Sequence, residues 1–107
     1  MKPAPALATY EDLKALSPNL VGELVAGELY ASPRPSGGHA LASSGLGGEL
    51  VRPFQRGKGG PGGWWILDEP ELHLGKDVFV PDLAGWRRER MPKQPDQTDI
   101  FFTLAPD

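Results

Sequence analysis

Val78-Phe79-Val80-Pro81-Asp82-Leu83-Ala84-Gly85-Trp86 is the most apolar stretch of the chain, and it carries one carboxylate. It reads as a β-strand, bent near Pro81 because proline cannot donate to a ladder. Working outward, Trp64-Trp65-Ile66-Leu67 and Glu71-Leu72-His73-Leu74 read as two strands ahead of it. Asp68-Glu69-Pro70 and Gly75-Lys76-Asp77 supply the intervening turns. Residues 87–97 are charged and Pro-containing and predict a loop, and Ile100-Phe101-Phe102-Thr103-Leu104 a short apolar segment. Upstream, residues 55–63 (QRGKGGPGG) predict a mobile loop.

The N-terminal half predicts a helix, a hairpin and a second helix. Thr9 with Asp12 three residues on forms a capping-box pattern. The helix it opens buries Leu13 and Leu16 and stops at Ser17-Pro18, since the residue before a proline avoids the helical region. Val21-Gly22-Glu23-Leu24-Val25-Ala26-Gly27-Glu28-Leu29-Tyr30-Ala31 predicts a hairpin around Ala26-Gly27, with Gly27 taking the positive φ of a type II turn. After the loop Ser32-Pro33-Arg34-Pro35-Ser36-Gly37-Gly38, the residues His39, Ala42, Leu46, Leu50 and Phe54 recur every three or four positions, one stripe of a helix. Pro53 kinks or ends that helix. Residues 1–8 read as a flexible tail. The order predicts a mixed α/β (α+β) layer, with the Leu46 stripe packed on a sheet.

Composition narrows the function classes. Glycine (14) and proline (12) make up about a quarter of the 107 residues, roughly double the usual share. Three Trp, four Phe and 39% hydrophobic residues are nonetheless too many for a solvated coil, so these residues belong to loops between folded elements. With no cysteine there is no disulfide scaffold, zinc ribbon or thiol nucleophile. No apolar run approaches the ~20 residues of a membrane helix, and no secretory signal is visible at the N-terminus. A cytoplasmic location is the expectation. A formal charge of -3 argues against a protein living on nonspecific phosphate contacts. It does not argue against a metal-dependent nuclease, whose carboxylates are neutralised by the ion they hold.

Asp82 is the first candidate for chemistry. A carboxylate in so apolar a strand is costly unless hydrogen-bonded, paired or metal-bound, and a hard ion such as Mg²⁺ is a natural partner. The alternative is an acid at a strand end that caps a turn. Glu23 and Glu28 flank the hairpin turn, where either brings a second carboxylate towards a metal or both face solvent. His39 opens the second helix and touches phosphate or a metal site, or serves as a local cap. His73 alternates with Leu72 and Leu74 and is placed on the outer face of its strand, without a role. Arg87, Arg88 and Arg90 suit a nucleic-acid backbone or a solvated loop. The glycine-rich loop lacks P-loop spacing, and Ser43 and Ser44 lack a nucleophile elbow.

Several of these segments together carry a resemblance. They are Thr9-Tyr10-Glu11-Asp12-Leu13, Gly22-Glu23-Leu24-Val25-Ala26-Gly27-Glu28-Leu29-Tyr30, Ser32-Pro33-Arg34-Pro35 with His39, and Val80-Pro81-Asp82-Leu83. In order and spacing the chain resembles the Uma-type restriction endonuclease family of the PD-(D/E)XK nuclease superfamily. The segment running from Gly62-Gly63-Trp64-Trp65 to His73 resembles one branch of it. The resemblance implies a restriction-endonuclease-like fold, a mixed sheet flanked by helices, and DNA cleavage with Mg²⁺ or Mn²⁺. It implies that Asp82 matches the metal-binding aspartate, Glu23 a recurrent acidic position and His39 a recurrent histidine. Where the family has Asp or Asn before the hairpin glycine, Ala26 stands here.

In relatives, a segment like Ala105-Pro106-Asp107 leads into an apolar strand bearing the second metal carboxylate, followed later by a lysine. By this reading residues 9–107 are the N-terminal portion of one nuclease-like domain, truncated before its catalytic acid and lysine. Weak metal binding and little or no cleavage are expected of it alone. An exposed sheet edge is also expected, through which it forms a homo-oligomer. The alternative is a non-enzymatic interaction module or remnant associating through that edge.

Overall fold

The computed structural model describes residues 7–107. Most of the expected tail lies outside those residues. At its end, Ala8 is already tied to the fold, its N–H donating to Gly27 O at 2.9 Å.

Six strands form two antiparallel sheets. They are β1 (Leu20–Val25), β2 (Glu28–Pro33), β3 (Trp64–Asp68), β4 (Leu72–Leu74), β5 (Asp77–Phe79) and β6 (Leu83–Arg87). The larger sheet has the order β2-β1-β5-β4, and the smaller pairs β3 with β6. Phe102 adds a parallel bridge to Leu72, placing the expected apolar segment against β4.

The apolar stretch at residues 78–86 is therefore not one bent strand. It is two strands in two different sheets, joined at Val80-Pro81-Asp82. Pro81 has no N–H to give a ladder, and the neighbouring backbone groups find partners outside one. Val80 N–H donates to Glu23 Oε2 at 2.8 Å, and Asp82 O accepts from Glu69 N–H at 3.0 Å. Both sheets contribute to the core, with Leu24, Leu72 and Val78 from the larger and the fully buried Trp86 from the smaller. Gly85 makes the smaller sheet tight, since a Cβ there would lie 3.2 Å from both Ile66 and Trp64.

The hairpin forms around the expected residues, with Leu24 opposite Leu29 and Glu23 opposite Tyr30. Its turn differs from a type II turn. Ala26 (φ 51°) and Gly27 (φ 81°) are both left-handed, as in the I′ turns that match strand twist. Helix α1 (Tyr10–Lys14) carries the expected Thr9–Asp12 capping box and ends sooner than Ser17.

Helix α2 (Gly37–Leu50) runs into a π-helical turn at Val51–Gln55. This is where Pro53 falls. The proline removes a donor and crowds the preceding turn, and the wider turn, closed by Arg56 N–H to Val51 O at 2.9 Å, accommodates it. Only the far end of the Leu46 stripe faces the sheet: Leu50 and Phe54 are half-buried, with Phe54 edge-on to Trp64 of β3 at 6.2 Å, whereas His39, Ala42 and Leu46 are exposed. The inner face is Ser43, Gly47, Leu50 and Val51, all half-buried. Gly47 faces Leu83, where a Cβ would lie 3.7 Å from Leu83 Cδ2, an ordinary contact distance.

The glycine-rich loop at residues 55–63 is tied down. Lys58 N–H donates to Arg52 O at 3.0 Å and Gly62 N–H to Pro53 O at 2.9 Å. A Cβ on Gly60 would come within 2.9 Å of Pro53 O.

Candidate functional site

The sheet switch at Val80-Pro81-Asp82 builds the site. It sets Asp82 at the entrance to β6, beside the start of α2. Ser36 caps that helix by accepting His39 N–H at 3.2 Å, which fixes the His39 backbone. The His39 Nε2 then meets Asp82 Oδ1 at 2.8 Å. An ionised Asp82 can only accept in this bond, so Nε2 is the nitrogen that donates. The side chains are 47% and 58% exposed, so the pair contributes only about 0–1 kcal/mol to stability.

Glu23, on β1, is half-buried. Its bond to Val80 N–H clamps the switch onto the larger sheet. An open cavity of about 370 Å³ is lined by Glu23, Arg34, His39, Glu69, Val80 and Asp82, among others. The three residues singled out from sequence, some sixteen to sixty positions apart, thus share one cavity. An adjoining cavity of about 480 Å³ adds Ser43, Asp68 and Leu83.

Two charged residues lining the Asp82 cavity, Glu69 and Arg34, have no counterpart among the sequence candidates. Glu69 is a non-glycine residue with a left-handed backbone, φ 47°, which was legible only as part of a turn. Arg34 belongs to the Ser32-Pro33-Arg34-Pro35 segment that carries part of the resemblance, where it had no assigned role. Glu28 is exposed and engages Tyr30 Oη at 2.8 Å, away from the cavity. Its carboxylate raises the Tyr30 pKa by accepting that hydrogen bond.

The basic cluster is largely committed to the fold. Arg88 donates to Gln55 O at 2.6 Å and Trp64 O at 3.2 Å and lies 4.1 Å over the Trp65 ring. Arg90 pairs with Asp107 at 2.8 Å. Arg87 lies over Trp64 at 5.4 Å, with Glu89 at 3.7 Å. His73 is not on an open outer face either. It bonds Glu71 Oε2 at 2.8 Å, stacks on Phe101 at 4.1 Å and meets the edge of Tyr10 at 4.7 Å.

Mg²⁺ wants near-octahedral oxygen ligands. Among the described residues no group of three His, Asp or Glu side chains converges to hold a metal. Asp82 Oδ1 is engaged by His39 and Glu23 Oε2 by Val80. These donors do not by themselves make a metal site.

The chain has a mixed α+β architecture with antiparallel sheets. A crystal structure of a putative nuclease belonging to DUF820 from Anabaena variabilis shares it, with a TM-score of 0.63 at 23% sequence identity. The match covers 92% of this chain and 54% of that one, so this chain spans about half the length of its neighbour. No family model matches the sequence, and no curated protein matches it. Among the described residues no helix is long and apolar enough to cross a membrane.

Proposed function

We propose that this chain is the N-terminal portion of a metal-dependent DNA endonuclease. In this reading Asp82 supplies one carboxylate to a Mg²⁺ or Mn²⁺ site, and the remaining ligands come from outside the described residues. His39 orients Asp82, and Glu23 positions it by holding the Val80-Pro81-Asp82 switch. The observation that carries the reading is the convergence of Glu23, His39 and Asp82, from three separate elements, on one cavity in a nuclease-like fold. A lone carboxylate binds Mg²⁺ weakly because the ion sheds water reluctantly. The chain alone is expected to bind metal weakly and to cleave little or no DNA.

Free Mn²⁺, followed by electron paramagnetic resonance during titration, tests the assignment. Weak binding by the wild-type chain, lost in Asp82→Ala, is expected. Equal binding by both proteins, or none by the wild type, removes Asp82 from the role.

A second reading has its own support. The accessible surface is 7543 Å², against roughly 5800 Å² for a compact monomer of this size. Leu41, Leu46 and Ile100 stand exposed. By this reading the chain is an interaction module that associates with a second copy.

A further inference from the structure

A phosphodiester entering the Asp82 cavity meets Glu23, Glu69 and Asp82 itself, with Asp68 lining the adjoining space. Such a wall repels a phosphate unless a cation offsets it. Arg34 is the sole Lys or Arg lining either cavity. It stands between Pro33 and Pro35, whose rings fix φ on both sides and stiffen the mount. Its Nη2 donates to Pro18 O at 3.0 Å. Though it lines the same cavities as Glu23, Asp68, Glu69 and Asp82, Arg34 forms no ion pair among the described residues, which leaves most of its five N–H donors for a ligand. The arginines of the 87–90 segment are the opposite case, spent on carbonyls, rings and carboxylates of the fold.

We infer that Arg34 is the phosphate-contacting residue of this site, holding the nucleic-acid backbone at the mouth of the Asp82 cavity. The inference rests on the nuclease reading for the identity of the ligand, but not on a metal. A guanidinium suits the task because its planar fork donates in pairs to phosphate oxygens. The contact positions the strand and carries no sequence information.

The test is fluorescence anisotropy of a labelled short DNA duplex with EDTA present, over a NaCl series. Arg34→Ala and Arg34→Gln are expected to weaken binding about tenfold at low salt. Both should reduce the slope of log K against log salt by about one. Arg34→Lys should keep the wild-type slope. Arg34→Gln retains a donor for Pro18 O, so a loss shared by Ala and Gln but not Lys reports the charge rather than the fold. An unchanged slope in Arg34→Ala, or no duplex binding by the wild-type chain, overturns the inference. A failure of the Mn²⁺ experiment with the Arg34 slope change intact would remove the metal role and leave this contact standing.

Discussion

Ala26 carries backbone strain for a contact made far along the chain. Its φ of 51° places a Cβ in the left-handed region, at a cost of about 1–2 kcal/mol. Its N–H donates to Asp77 Oδ1 of β5 at 3.0 Å, which joins the hairpin to the next strand. Asparagine tolerates that region. Ala26→Asn should therefore raise stability by about 0.5–1 kcal/mol, read from thermal melts. The turn position was legible from Gly27, but its type was not, because alanine gives no sign of a left-handed backbone. The Tyr10 hydroxyl donates to Glu71 Oε2 at 2.7 Å, and that bond, with burial and the Glu71 charge, pushes its pKa up to about 12. A folded pKa above the unfolded value means stability present below pH 10 and lost as pH rises to about 12. Chemical denaturation across that range should show the loss, and Tyr10→Phe should flatten it. Asp82 was legible as an anomaly, one charge in an apolar run. Arg34 and Glu69 were not, because only their placement beside Asp82 gives them meaning.

At the scale of elements, α1 has five residues, too few to be stable alone. It persists because Gly22 on β1 leaves room for it. A Cβ there would lie 2.7 Å from Leu16 Cδ1 and 2.8 Å from Leu13 Cγ. Gly22→Ala should overpack this contact and cost about 1–3 kcal/mol, measured by urea denaturation. The capping box could be read from Thr9 and Asp12 alone, since both partners lie within one turn. The inward face of α2 could not. Its apolar residues are scattered around the helix, and only its packing against β3 shows which face turns inward. Pro53 was legible as a disruption, but the π-helical turn was the answer the surrounding packing allowed.

The whole molecule is open. Its radius of gyration is 16.4 Å, against ~13 Å for a compact chain of this length. Among the described residues four hydrophobic side chains are buried, and of these Trp86 alone is fully buried. If a second copy covers the exposed Leu41 and Leu46, sedimentation should show mass above the monomer that rises with concentration, and Leu46→Glu should return it to monomer. A monomer at every concentration counts against the self-association reading. What the amino-acid sequence determined by itself is local. It set the cap at Thr9, the hairpin at Ala26-Gly27, the strand-forming runs, and the candidates Glu23, His39 and Asp82. These depend on neighbours within a few residues, where periodicity and turn chemistry act. The tertiary structure alone decided that the 78–86 run divides between two sheets. It also decided that Glu23 holds the division, that His39 meets Asp82, and that Arg34 faces the same cavity. The reason is physical: Pro81 removes a ladder donor, and which distant groups then satisfy the freed backbone is settled only when the two sheets pack.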